Sequence, residues 1–243
     1  IEIESEWTPF KAKIDTFMGQ ATQWRAYPIV GGENIVTGHT HSVLSAYDHS
    51  ETAGQIDWAD TATVTKAIDL AAAAFPAWSA RPASERADCL DRMADLMEEN
   101  YPELMALCHR EAGKTIQDSI DEVREAVDFC RYYAQQARSH FAKPTRYTDF
   151  LGQEKHTKLN GRGVFTCISP WNFPLAIFTG QVVAALVVGN TVVAKPAEQT
   201  SLIAFRAIEL LHQAGVPTDV LHLLPGDGAT VGAPLTSDKR IAG

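Results

Sequence analysis

Residues 164–224 read VFTCISPWNFPLAIFTGQVVAALVVGNTVVAKPAEQTSLIAFRAIELLHQAGVPTDVLHLL, and the alternation within this stretch decides the fold. The apolar run 164–169 reads as a buried strand, and 174–188 as a helix of small residues. A second strand follows at 191–194, then a helix over 201–214 closed by Gly215, then a third strand at 220–224. Strand, helix, strand, helix, strand implies parallel pairing through right-handed crossovers, an α/β fold. Such sheets bind ligands beyond the carboxyl ends of their strands, so the residues after each strand carry the functional argument. Residues 164–194 contain no Asp, Glu, Lys, Arg or His, yet Pro170, Asn172, Pro174, Gln181 and Gly189-Asn190 interrupt them. The longest smooth part, 175–188, falls short of the ~20 residues that cross a bilayer, and reads as core.

After the first strand comes Ser169-Pro170-Trp171-Asn172-Phe173-Pro174. Two prolines stiffen this bend and present Asn172 in a fixed direction. A carboxamide offers an uncharged N–H suited to a developing oxyanion, or it caps the following helix. After the second strand comes Lys195-Pro196-Ala197-Glu198-Gln199-Thr200. Its carboxylate can take two ribose hydroxyls and its ammonium a phosphate or hydroxyl; the alternative is a solvated charge pair with Thr200 as a cap. After the third strand comes Pro225-Gly226-Asp227-Gly228-Ala229-Thr230-Val231-Gly232, glycine-rich but without the dinucleotide spacing, and equally readable as a plain turn.

Working outward, residues 61–142 are helical. Asp60 or Thr61 caps a helix whose Val64, Ala67, Ile68, Ala71 and Phe75 share a face, and Pro76 is expected to kink or end it. Ser84 is the expected cap of the next helix, whose apolar stripe is Leu90, Met93, Ala94 and Met97. Pro102 opens another that stops at Gly113. Ile116, Ile120, Val123, Val127, Cys130, Ala134 and Ala137, spaced 4, 3, 4, 3, 4, 3, define one long amphipathic helix. Residues 143–163 are turn-rich, with Asn160-Gly161 the expected turn of a β-hairpin arm that could touch another subunit. Residues 1–60 read as a wrapping or edge-strand segment, with strands at 34–37 and 42–47, and 164–243 as the first βαβαβ part of a sheet.

The chain has 243 residues with 45% apolar and 21% charged composition, which excludes a disordered or disulfide-stapled polypeptide. Its net charge of −9 disfavours nucleic acid as a partner. Cys89, Cys108, Cys130 and Cys167 show no metal or redox spacing, and each reads as buried structure in a reducing, cytoplasmic setting. His39, His41 and His49 with Asp48 read as surface loop residues, with no metal expected. No signal peptide or transmembrane segment is expected. Ile1 at the start, and the pair Ile241-Ala242 before Gly243, which looks like a strand just beginning, suggest a segment of a longer polypeptide.

Pro170-Trp171-Asn172-Phe173-Pro174, Gly189-Asn190, the stretch from Ala194 to Thr200, and Pro225-Gly226-x-Gly228-x-x-x-Gly232 together resemble the NAD(P)-dependent aldehyde dehydrogenase superfamily. The resemblance extends back through 74–79 and Glu111-Ala112-Gly113-Lys114, covering the chain from about residue 45. Residues 110–115, 122–129 and 168–181 are most similar to the glutamate-γ-semialdehyde (1-pyrroline-5-carboxylate) dehydrogenase module of bacterial proline utilisation A proteins. The resemblance implies an incomplete Rossmann-type parallel sheet, preceded by a helical part of the cofactor-binding domain and a hairpin arm. It also implies a chemistry in which a cysteine thiolate attacks an aldehyde, hydride passes to NAD, and a glutamate-activated water hydrolyses the thioester.

On that resemblance Asn172 is the oxyanion donor and Ile168, Ser169, Pro170 and Trp171 line the nicotinamide. Lys195 and Glu198 hold the adenosine ribose, Gly228 and Gly232 lie by the rest of the cofactor, and Glu125 and Phe173 face the aldehyde. Glu198 would repel a 2′-phosphate, favouring NAD over NADP. The nucleophilic cysteine and general-base glutamate are expected past residue 243, so the segment alone is expected to be inactive. The parent is expected to be a homo-oligomer fused to a proline dehydrogenase module that carries FAD. The competing readings are another semialdehyde dehydrogenase of amino-acid catabolism, or a non-catalytic domain of the same fold.

Overall fold

In a computed structural model, residues 4–19 and 24–243 are described. Helix α1 (Glu4–Gly19) opens the chain where an edge-strand segment was expected. Residues 1–3 and 20–23, including the non-Met start, lie outside the described residues. Five short strands follow: β1 (Arg25–Ala26), β2 (Ile29–Val30), β3 (Glu33–Asn34), β4 (Thr40–Leu44) and β5 (Thr52–Asp57). β4 and β5 pair antiparallel, with β1 parallel to β5 on the other side. The β5 strand was not foreseen, because Gly54 breaks its pattern. A Cβ on Gly54 would stand 2.7 Å from the Trp24 carbonyl oxygen, so the residue admits a neighbouring backbone instead of a side chain.

Four helices follow, of which the first packs directly on the larger sheet and the other three pack on the helices that connect its parallel strands. In α2 (Thr61–Ala80), Asp60 accepts from the Thr63 amide at 2.7 Å, as expected of a cap. Pro76 neither ends nor replaces that helix. Trp78 beyond it is buried and donates Nε1–H to the Leu186 carbonyl at 3.0 Å, which holds the last turn in place. Helix α3 (Ala83–Glu99) starts from Pro82 with no side-chain cap, so Ser84 sits inside the first turn and does not cap it. Its stripe Leu90, Met93, Ala94 and Met97 is fully buried. Helix α4 (Tyr101–Ala112) ends at Gly113, whose φ of 68° is the left-handed conformation a C-terminal glycine supplies. Helix α5 (Ile116–His140) is capped by Thr115. Its buried face differs from the expected stripe at the start: Ile116 is exposed, while Ser119, Glu122 and Ala126 are buried.

An antiparallel hairpin, β6 (Thr145–Thr148) and β7 (Glu154–Thr157), projects with every residue exposed. Its turn is 149–153, organised by Asp149, which accepts from the Leu151 and Gln153 amides. Asn160-Gly161 is therefore not the turn. Gly161 lies so close to the sheet that a Cβ would meet the Gly189 carbonyl oxygen at 2.3 Å, a packing requirement that mimics a turn signature in sequence.

The remainder follows the expected alternation: β8 (Val164–Ile168), α6 (Ala176–Val187), β9 (Thr191–Lys195), α7 (Ser201–Gln213) and β10 (Leu221–Leu223). β8, β9 and β10 are parallel, and β2 and β3 extend them antiparallel in the order β3-β2-β10-β9-β8. The sheet is thus mixed, extended on one side by residues 29–34. On its other side residues 241–243 run beside β8, with Ala242 N–H donating to Val164 O at 2.8 Å and Thr166 N–H to Gly243 O at 2.9 Å. A short helix, α8 (Ala233–Ser237), precedes them. Among the described residues no helix is long and apolar enough to cross a membrane.

Candidate functional site

The register places the strand ends side by side. Ile168 pairs with Lys195, and the Ser169 amide donates to the Lys195 carbonyl at 3.2 Å. The Leu224 amide reaches the Ala194 carbonyl at 2.9 Å. Three loops therefore leave one edge of one sheet, as the sequence implied.

In the first loop Ser169 is buried, whereas Asn172 is exposed and Trp171 and Phe173 present much of their rings to solvent. Asn172 does not cap α6. The first α6 amides, those of Leu175 and Ala176, donate to Glu122 Oε2 at 3.2 and 2.9 Å. With that duty taken by a buried glutamate from α5, the capping reading of Asn172 is removed, and Asn172 stays exposed in a bend flanked by Pro170 and Pro174.

In the second loop Lys195 is only 5% exposed, and its ammonium donates to the Pro196 carbonyl at 3.3 Å. Burial lowers its pKa, opposed by the negative fields of Glu198 and Asp227, so three charged groups converge here. Glu198 begins a one-turn 3₁₀ segment, Glu198–Thr200, and is half-buried. Thr200 makes no cap bond. Instead the Leu202 and Ile203 amides donate to Glu111 Oε1 and Oε2 at 2.7 and 2.9 Å. Burial pushes the Glu111 carboxyl up to about 8, while the amides of Ile203, Leu202 and Ser201 pull it back.

The third loop forms a single wide turn, Gly228–Gly232, capped by Asp227, which accepts from the Thr230 amide at 2.5 Å. A Cβ on Gly232 would sit 3.8 Å from Cδ and Cε of Lys195, and one on Gly228 would meet nothing within 4 Å. Gly226 has the strict requirement, at φ 154° with Val231 Cγ2 2.5 Å from its would-be Cβ. Lys195, Glu198, Asp227 and Gly232 are thus gathered. An ammonium with three donors, one of them on a long bond, beside a carboxylate and an open glycine, suits a polyhydroxylated, phosphate-bearing ligand such as a dinucleotide. Trp171 and Glu198 also line one cavity of about 470 Å³, with Ser42, His49, Glu111 and Thr200. The larger cavity, about 950 Å³, lies along the side of β8 where residues 241–243 run, and contains only Ile168 of the expected site residues.

Glu125 is exposed on α5. Phe173 lies under the Lys114 ammonium, 4.3 Å from its ring centroid. All four cysteines are buried. Burial raises the thiol pKa of Cys89, Cys108, Cys130 and Cys167, the latter two to about 12, so none is an activated nucleophile. His41 stacks on Trp58 at 3.7 Å. Glu111 and Glu122, which organise the site, escaped recognition because a glutamate in an amphipathic helix reads as solvated. The only available signal was their place in the two motifs shared with the resembled family.

A sequence profile described as the aldehyde dehydrogenase family matches residues 36–243. The chain is 47% identical over 221 residues to the bifunctional protein PutA of Klebsiella aerogenes, covering 91% of this chain and 16% of that protein. It is 37% identical to 1-pyrroline-5-carboxylate dehydrogenase of Anoxybacillus flavithermus, covering 93% of this chain and 43% of that protein. The chain therefore spans about a sixth of the first of these relatives and less than half of the second. Among solved structures, a Thermus 1-pyrroline-5-carboxylate dehydrogenase with bound NAD superposes with a TM-score of 0.93 at 32% identity, over 99% of this chain and 46% of that one. Proline utilisation A from Bdellovibrio bacteriovorus superposes at 0.94 with 31% identity, over 98% and 25%.

Proposed function

The chain belongs to the aldehyde dehydrogenase family, and from that premise we propose that the protein carrying it oxidises L-glutamate γ-semialdehyde to L-glutamate with NAD. The observation that carries this reading is that Asn172, relieved of capping by Glu122, follows the strand whose end lies beside Lys195, at the sheet edge where Lys195, Glu198, Asp227 and Gly232 gather. The substrate assignment is supported by relatives named as PutA and 1-pyrroline-5-carboxylate dehydrogenase. The cofactor is supported by a structural neighbour with bound NAD. The bifunctional PutA relatives support fusion of the parent to a second module, which we propose is the FAD-bearing proline dehydrogenase.

Asn172 donates its carboxamide N–H to the aldehyde oxygen as attack at the carbon moves charge onto it; a fixed donor needs no reorganisation at that moment. Lys195 and Glu198 hold a ribose diol, the ammonium donating and the carboxylate accepting. That carboxylate also opposes a 2′-phosphate, which is why NAD is assigned over NADP. Ile168, Ser169, Pro170 and Trp171 form the wall beside the reacting ring, and Gly228 and Gly232 leave room for the adenosine half. Glu125 and Phe173 border the aldehyde. When bound, NAD takes up the electron pair that leaves the aldehyde carbon.

The thiolate nucleophile is none of the four cysteines present, so residues 1–243 alone do not turn over. In the complete protein, Asn172→Ala lowers kcat by about 100-fold with NAD affinity within twofold, read from NADH absorbance and a binding titration. A folded complete protein that neither binds NAD nor oxidises the semialdehyde overturns the assignment. Turnover by residues 1–243 alone overturns the cysteine argument.

A further inference from the structure

Glu122 does more than close a helix. Its side chain is 1% exposed, with Oε2 shared by the Leu175 and Ala176 amides and Oε1 3.1 Å from Lys114 Nζ, an ion pair without hydrogen-bond alignment. The Lys114 ammonium simultaneously covers the Phe173 ring at 4.3 Å. Asn172 is the residue before Phe173, and Leu175 lies only three residues beyond Asn172. Lys114 thus grips the loop at Phe173 and Glu122 at Leu175 and Ala176, all within four residues of Asn172.

Both grips come from one short stretch. Lys114 follows the left-handed Gly113 that ends α4, and Glu122 lies two turns into α5, whose start is fixed by the Thr115 cap. Truncating either group loosens the loop in a different way. Loss of Glu122 leaves two buried amides without an acceptor, and loss of the Lys114 charge releases the Phe173 ring.

We propose that Lys114 and Glu122 act as a pair of positioning residues that fix the Asn172 carboxamide from outside the substrate site. The inference rests on the oxyanion role of Asn172 for its catalytic consequence, but the positioning itself has an independent readout. A donor displaced by a fraction of an ångström stabilises an oxyanion poorly while leaving the ribose contacts at Lys195 and Glu198 untouched.

The test uses Lys114→Met, Lys114→Arg and Glu122→Gln in the complete protein, alone and combined with Asn172→Ala. Lys114→Met and Glu122→Gln are expected to lower kcat by about 10- to 100-fold with NAD affinity within about twofold. Lys114→Arg should recover most of that loss, since it keeps a cation over the ring. In the Asn172→Ala background the same changes should alter kcat less than about twofold, because residues acting through one donor are non-additive. Hydrogen exchange should accelerate in peptides spanning 171–176 and stay unchanged in 201–213. Unchanged exchange in 171–176, or full additivity with Asn172→Ala, overturns the proposal. Accelerated exchange with a catalytically silent Asn172→Ala upholds the positioning and overturns the oxyanion reading instead. Lys114, only 15% exposed but outside the core, keeps the test available should Glu122→Gln fail to fold.

Discussion

Helices α2 and α5 begin with their own neighbours, whereas α6 and α7 begin and end with groups from other helices. Asp60 and Thr115 cap the first pair across three residues. The second pair is capped across 53 residues by Glu122 and across 91 by Glu111. Their far ends are treated likewise. Arg86 donates to the Val187 carbonyl at 2.8 Å at the end of α6, and Arg92 to the Ala214 carbonyl at 2.7 Å at the end of α7. Each sheet helix therefore has a glutamate carboxyl accepting from the amides at its N-terminal end and a guanidinium donating to a carbonyl at its C-terminal end, the guanidinium charge complementing the macrodipole. The outer helical layer both covers the sheet helices and supplies the polar partners that their apolar sequences lack. This matters for function because the loops carrying Asn172 and Glu198 run directly into those two N-termini.

The contrast can be broken most directly at Glu111. Glu111→Ala strands two buried amides and should cost about 3 kcal/mol or more in denaturant unfolding; a loss no larger than that of a local cap would erase the distinction. Its carboxyl also ties stability to pH. The folded state holds the proton up to about 8 while an ordinary glutamate releases it near 4.5, so between those values the folded form binds more protons. Stability is fully present below the lower value and declines as pH rises through the upper one. Glu111→Gln should flatten that slope in unfolding curves collected from pH 4.5 to 8, and an unchanged slope would assign it elsewhere. Arg92→Ala, which frees one terminal carbonyl, should cost about 2 kcal/mol by thermal or chemical unfolding. Asp60→Ala and Thr115→Ala should each cost about 1 kcal/mol. Lys11→Ala, removing an exposed i,i+4 pair with Asp15, should change stability by less than about 0.5 kcal/mol, which sets the floor of the series.

The same division marks what could be read in advance. The three parallel strands and their connecting helices were legible because their signals lie within a few residues of one another along the chain: apolar runs, helical periodicity, and the closing glycine at 215. Misreadings fell where a local signature served a distant purpose. Ser84 and Thr200 looked like caps, but Ser84 lies within its helix and Glu111 performs the duty assigned to Thr200. Asn160-Gly161 looked like a hairpin turn, but it packs beneath Gly189 while Asn190 Oδ1 accepts from Arg162 N–H at 2.6 Å. Pro76 reads as a kink or an end, and the helix does not end there because Trp78 anchors the turn beyond it. For the site, the residues after each strand could be selected from order alone, whereas the supports behind them could not.

The sequence by itself determined the alternation of strands and helices from residue 164 onward, the sheet edge at which Asn172, Lys195 and Glu198 emerge, and the burial of the four cysteines. Local periodicity and strand order suffice for those. Only the tertiary structure decided that Asn172 is not a helix cap and that Glu111, Glu122 and Lys114 stand behind the loops. The physical reason is that an ionised side chain reads as solvated until packing brings it an unpaired backbone amide. No spacing along the chain records which amide that will be.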